Sequence, residues 1–304
     1  MPFPHRLPFD GKPFALRMNL RSCATDDWLE LPEHYDGQMA ERDRLLDERR
    51  PEVFQATPGS EAAGAEVLRM VVAHMLARQP GRFLREGHRL RDRVRGIVID
   101  LGAAGRHPLD IAGRITAEDL CLMEAASPEA RATGAYSLTA ASLCFPSRWR
   151  LAEKIGRPLR AIHEPVHGFD AELARPVERV FSTLQTDRIL QRINWSVLDD
   201  PALFQPVGRN RTAADRAITA DNAGERLFVR MERQTLRRLP ETGAVLFTIH
   251  LHVHALAEIA ADPEAAADLL VQIGTMPDEH RAYKSVGVFG DALAAYLAGR
   301  AAAA

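Results

Sequence analysis

Two β-like runs, residues 227–234 and 244–253, flank the segment LRRLPETG. That arrangement restricts the fold more than any other feature of the chain. Both runs read as β-strands, and the Pro-Glu-Thr-Gly turn between them predicts a hairpin or a short crossover. Two more strand-like stretches precede them, VRGIVIDL at residues 94–101 and YSLTAASLCF at residues 136–145. Helical spacing governs other regions. Ala65, Leu68, Val72, Met75 and Leu76 repeat along residues 59–78 before Pro80 ends the pattern. Val177, Val180, Phe181 and Leu184 share one side of residues 168–185. Residues 38–50 form a charged helix, and the chain from residue 255 onward is mostly helical. Thr116 reads as a helix cap with Asp119 three residues on, although DLCLME alternatively suits a short strand. Ser147 reads as the cap of a helix through Ile155, closed by Gly156.

Strands in the middle and helices at both ends define an α+β class. A chain of 304 residues can hold one large domain or two small ones. With no internal repeat and no low-complexity linker, the expectation is a single domain over residues 1–304. Residues 1–36, rich in Pro and Phe, would wrap the core, residues 255–300 would form a helical C-terminal part, and the Ala-rich end would fray.

A formal charge of −2 argues against nucleic acid as a partner. Three scattered cysteines, Cys23, Cys121 and Cys144, form no CxxC pair and disfavour disulfide scaffolds, zinc ribbons and iron–sulfur clusters. A reducing cytoplasm fits that usage. The N-terminal MPFPHRLPFDGKPF lacks an apolar core of signal-peptide length, and no run approaches a membrane span. No GxGxxG fingerprint or P-loop is present, so nicotinamide-derived electrons would have to arrive from another protein.

Several polar blocks stand in a fixed order: Pro146-Ser147-Arg148-Trp149, Ile162-His163-Glu164-Pro165-Val166, Arg192-Ile193-Asn194-Trp195, Arg230-Met231-Glu232-Arg233-Gln234 and Tyr283-Lys284. With Asp27-Trp28 and Glu118-Asp119-Leu120-Cys121-Leu122, this series resembles the haem-dependent oxidative N-demethylase family, typified by the large haem subunit of dimethylamine monooxygenase. The resemblance spans most of the chain. It implies a PAS-like antiparallel sheet with flanking helices and a bound haem b. It also implies O2 as co-substrate, a small methylated amine as substrate, formaldehyde as product, and a separate reductase. A PAS-like haem or small-ligand sensor is the alternative, because such folds serve both ends.

His163 is the expected axial ligand, since neutral imidazole is a common haem donor. Pro165 would stiffen its loop and Glu164 could orient the ring. The bland alternative is a loop histidine without a role, and His167 reads as a solvated loop residue. On a strand, Arg192 and Asn194 face one way and Trp195 the other. Arg192 and Asn194 would bind a propionate or steer oxygen, while Trp195 would pack porphyrin. A salt bridge and a core Trp would explain the same residues. Arg148, Arg230 and Arg233 are further propionate candidates. Glu232 is a candidate contact for a substrate ammonium group. Cys121 and Cys144 rank below His163 as haem ligands.

His250, His252 and His254 (HLHVH) would share one strand face at a spacing that can bind zinc or copper. No Cys or carboxylate lies beside them at ligand spacing, which favours a half-exposed polar face. Metal there, without porphyrin, would instead make this a non-haem metalloprotein.

Overall fold

The computed structural model describes residues 7–208, 211 and 213–302. Of the wrap expected over residues 1–36 and the fraying expected at 299–304, residues 1–6 and 303–304 lie outside that set, and residues 299–301 are helical rather than frayed. A seven-stranded antiparallel sheet forms the centre. Its strands are β1 (Arg21–Cys23), β2 (Phe54–Ala56), β6 (Asp119–Glu124), β7 (Ser137–Ser142), β8 (Ile189–Leu198), β9 (Phe228–Arg238) and β10 (Val245–Ala255). They lie in the order β1-β8-β9-β10-β6-β7-β2. A separate three-stranded sheet holds β3 (Phe83–Glu86), β4 (Arg89–Asp92) and β5 (Ile97–Asp100).

The β9–β10 hairpin is the longest pairing and sets the register of everything else. Glu232 stands opposite Leu251, and Arg233 opposite His250. On the other side Arg192 pairs with Gln234 and Asn194 with Glu232. Side chains opposite one another in antiparallel strands project from the same face. One face therefore carries Arg192, Asn194, Arg230, Glu232 and Gln234. The opposite face carries Trp195, Met231, Arg233, His250 and His252.

Helices pack on both faces. The polar face meets the helices Leu159–His163 and Ala174–Thr183, through a core that includes Phe181, Leu184, Leu236 and Val245. Beneath one half of the opposite face, Trp28, Met39 and Val71 pack with Leu120, Leu122 and Leu246. They come from the N-terminal segment and from the helices Tyr35–Glu48 and Glu61–Arg78. The helices Pro263–Gly274 and Gly290–Ala301 close the other half around Val197, Val229 and Met231. No helix among the described residues is long and apolar enough to cross a membrane.

Two expected helix starts are not formed. Thr116 does not cap a helix: its hydroxyl donates to the buried Glu118 carboxylate, and DLCLME is strand β6. Ser147 caps nothing either, because the helix after it shrinks to a 3₁₀ turn at Leu151–Glu153. Arg148 sits at φ 61°, a left-handed conformation uncommon outside glycine, which breaks any helix running from Ser147. The strands β3 and β4 escaped sequence reading because their four-residue, charge-rich segments carry little apolar signal.

Asp119 locks the approach to the polar face. It is 1% exposed and accepts from Arg42 Nη2 at 2.8 Å, Cys144 N at 2.7 Å and Phe145 N at 3.1 Å. Those bonds fix the chain just before Ser147. Asp119→Ala strands the fully buried Arg42, a class of change that costs about 3–5 kcal/mol. Chemical denaturation of both proteins measures it, and a loss below ~1 kcal/mol would contradict this role.

Candidate functional site

The polar face of β8 and β9 is not closed over its middle. Arg192, Asn194, Glu232 and Gln234 remain half-buried there, beside the half-buried Phe247 and Ile249 of β10. Charged groups in this position need partners, and the way each finds one defines the site.

Glu232 is held as an anion. Its carboxylate accepts from the Ser147 hydroxyl, from Asn194 Nδ2 at 3.2 Å and from Gln234 Nε2 at 2.9 Å. Burial works to raise its pKa, but the Ser147 bond, the Arg230 charge and the two amides outweigh it. The carboxyl is held below its usual range and stays ionised at neutral pH. Two of the three donors converge on Oε2 and one on Oε1. An ionised carboxylate has about four acceptor positions, so Oε1 keeps room for one more donor.

Arg192 has the opposite character. Its Nε is buried and without a hydrogen-bond partner, and it makes no ion pair among the described residues. Burial lowers its pKa, with the Glu232 charge opposing. A desolvated guanidinium that makes no ion pair is chemically suited to accept an anion.

His163 stands over this face at the end of the helix Leu159–His163, not in an irregular loop. Its ring stacks on Phe169 with centroids 4.4 Å apart and 10° between planes. Nδ1 lies 2.9 Å from the Leu159 carbonyl, so it carries the proton and the lone pair falls on Nε2. Burial pulls the imidazole down to about 4, with Lys154 and Arg192 adding to the effect. The ring is neutral at physiological pH. Glu164 does not orient it: that side chain is exposed and paired with Arg157 at 3.2 Å.

Lys284 enters from the edge of β8. Its Nζ donates to the Trp195 carbonyl at 2.6 Å. Burial pushes the ammonium down to about 8, Glu232 opposing and Arg192 reinforcing the shift. Sequence reading included Tyr283-Lys284 among the recurrent blocks but gave the lysine no role. Ser147 was likewise visible in its block and misassigned as a cap.

Three arginines named as propionate candidates are engaged by partners inside the protein, although Arg148 Nη1 is buried without a hydrogen-bond partner. Arg230, 1% exposed, donates to Ser147 Oγ and to the carbonyls of Phe145, Ala202 and Leu203 at 2.8–3.0 Å. Arg148 pairs with Asp199 at 2.6 Å. Arg233 projects from the opposite face and pairs with Glu30 at 3.0 Å. Trp195 is also on that face, edge-on to Phe9 with centroids 5.8 Å apart. The fold therefore brings Arg192, Asn194, Glu232 and His163 together and leaves Trp195 and Arg233 behind the sheet. Thiolate ligation finds no support, because burial pushes the Cys121 and Cys144 thiols far up and keeps them protonated. His167 is exposed, its ring 6.0 Å from that of His280.

A large antiparallel sheet flanked by helices, with one polar, partly open face, defines a mixed α/β protein. The model of the family described as haem-dependent oxidative N-demethylase, alpha subunit-like, matches residues 19–294. That is nearly the whole chain, and the chain belongs to this family.

Proposed function

We propose that this chain is the haem-carrying catalytic subunit of an oxidative N-demethylase acting on a small methylated amine. The observation that carries the reading is the grouping of a neutral His163, an unpaired Arg192 and an ionised Glu232 around one open sheet face. Haem b asks for these groups in turn. His163 Nε2 would ligate iron, and Arg192 would take a propionate. Arg148, Arg230 and Arg233 would serve the scaffold instead. Numbered among themselves, β6, β7, β8, β9 and β10 run 2-1-5-4-3 across the sheet, which supports the PAS-like reading and a single haem-binding domain.

Bound haem would supply O2 chemistry capable of oxidising an N-methyl carbon. In the overall balance the methylated amine, O2, two electrons and two protons give the demethylated amine, formaldehyde and water. A separate reductase would provide the two electrons, and the alpha subunit-like description of the family supports partner subunits. Glu232 would take an N–H of the protonated amine on Oε1, with Asn194 and Gln234 holding the carboxylate in place. Lys284, near its midpoint at about pH 8, would exchange protons with the site at neutral pH.

Haem-loaded protein, a surrogate ferredoxin-type reductase and a panel of secondary and tertiary methylamines test the reading. Amine-dependent formaldehyde is expected. Haem that binds and reduces but yields none with any amine would overturn it. Arg192→Leu removes a charge-assisted contact worth about 1.5–3 kcal/mol. Haem affinity should fall at least roughly tenfold, measured by transfer of haem to apomyoglobin. Unchanged affinity would move the propionate elsewhere.

A further inference from the structure

A second constellation lies behind the sheet. His250 and His252 of β10 are 0% and 3% exposed. The third imidazole beside them is not His254, which turns to Glu258 at 3.1 Å. It is His34, exposed at the start of the helix Tyr35–Glu48. One ring nitrogen from each of His34, His250 and His252 lies within 4.8 Å of the other two. The carboxylates that the sequence did not place near HLHVH arrive from Glu30 and Glu118.

Each ring is anchored through one nitrogen by an oxygen. His250 Nδ1 is 3.2 Å from Glu118 Oε1 and His252 Nε2 is 2.9 Å from Glu30 Oε2. His34 donates to the Leu251 carbonyl. Metal-bound histidines are oriented in this way, their second nitrogen given to a carboxylate or carbonyl. His250 Nε2 is left buried with no hydrogen-bond partner. A buried imidazole lone pair facing two other imidazoles is unfavourable until a proton or a cation sits between them.

We infer that His34, His250 and His252 form a zinc site, separate from the proposed haem face and on the other side of the sheet. Neutral imidazoles without thiolate suit zinc. Nitrogens at about 2.0–2.1 Å from zinc stand roughly 3.4 Å apart in a tetrahedron. The exposed His34 can move to close the remaining distance. Solvent on its side supplies the fourth ligand, or Glu30 does, since its Oε2 is 3.9 Å from His250 Nε2. The ion ties the chain before the helix Tyr35–Glu48 to β10. Haem and zinc can coexist, because Glu232 and His250 project from opposite faces.

The test is zinc content of the full-length protein, by mass spectrometry after exchange into a buffer of defined free zinc, with and without haem. Wild type is expected to hold one zinc per chain in both states. His252→Ala, and His34→Ala at its exposed position, should weaken zinc at least tenfold. Glu232→Gln, on the opposite face of the sheet, should leave it unchanged. A chelator should lower the Tm of wild type and not that of folded His34→Ala. Absence of stoichiometric zinc in wild type, or equal zinc in wild type and both histidine variants, would overturn the site. None of these readouts depends on haem uptake or turnover.

Discussion

Glu232→Gln should retain haem and lose most amine turnover. The glutamine keeps the size of the side chain and can still meet Ser147, Asn194 and Gln234 after reorienting. What it loses is the charge that Oε1 would offer to a substrate ammonium. A charge-assisted hydrogen bond is worth about 1.5–3 kcal/mol, which corresponds to roughly a ten- to hundredfold fall in kcat/KM. The sign of the pH effect follows from the site. Glu232 is held below its usual range by Ser147, Arg230 and the two amides, against its burial. The carboxylate is therefore charged throughout the neutral range. Amine affinity in wild type should persist as pH falls through the ordinary carboxylate range and drop only below it. The variant should show no such limb. Formaldehyde release against amine concentration and pH measures both. Equal kcat/KM in wild type and variant would remove Glu232 from substrate binding.

The same residue shows how much of the site is legible from sequence. Alternation along β9 puts Arg230, Glu232 and Gln234 on one face, and their cost without partners was foreseeable. The partners were not. Ser147 lies 85 residues away in sequence, and its local context reads as a helix cap. Only the left-handed Arg148 and the Asp119 clamp turn it toward Glu232. Arg192 and Arg230 look alike in sequence. One is unpaired and the other donates to four backbone carbonyls, a difference created by the segments at residues 145–146 and 202–203.

The hairpin β9–β10 and the helix Ala174–Thr183 were readable because a short-range period announces each. His34 joining His250 and His252 was not, since no local pattern encodes a contact between a helix start and a distant strand. DLCLME illustrates the intermediate case. Its apolar run permits a strand, yet the Thr116 and Asp119 pattern mimics a cap. Pairing with β7 and β10 decides in favour of the strand.

His163 is the residue on which the proposed haem binding at this face would depend, and the absorption spectrum of haem-titrated protein tests it most directly. Wild type should take up one haem per chain with a Soret band typical of imidazole ligation. In His163→Ala the band should shift and haem affinity should fall by tenfold or more, with imidazole in the buffer restoring the wild-type spectrum. That rescue separates a lost ligand from a misfolded protein. If wild type binds no haem, or His163→Ala gives the same spectrum and affinity, His163 is not the iron ligand and the assignment of this face fails.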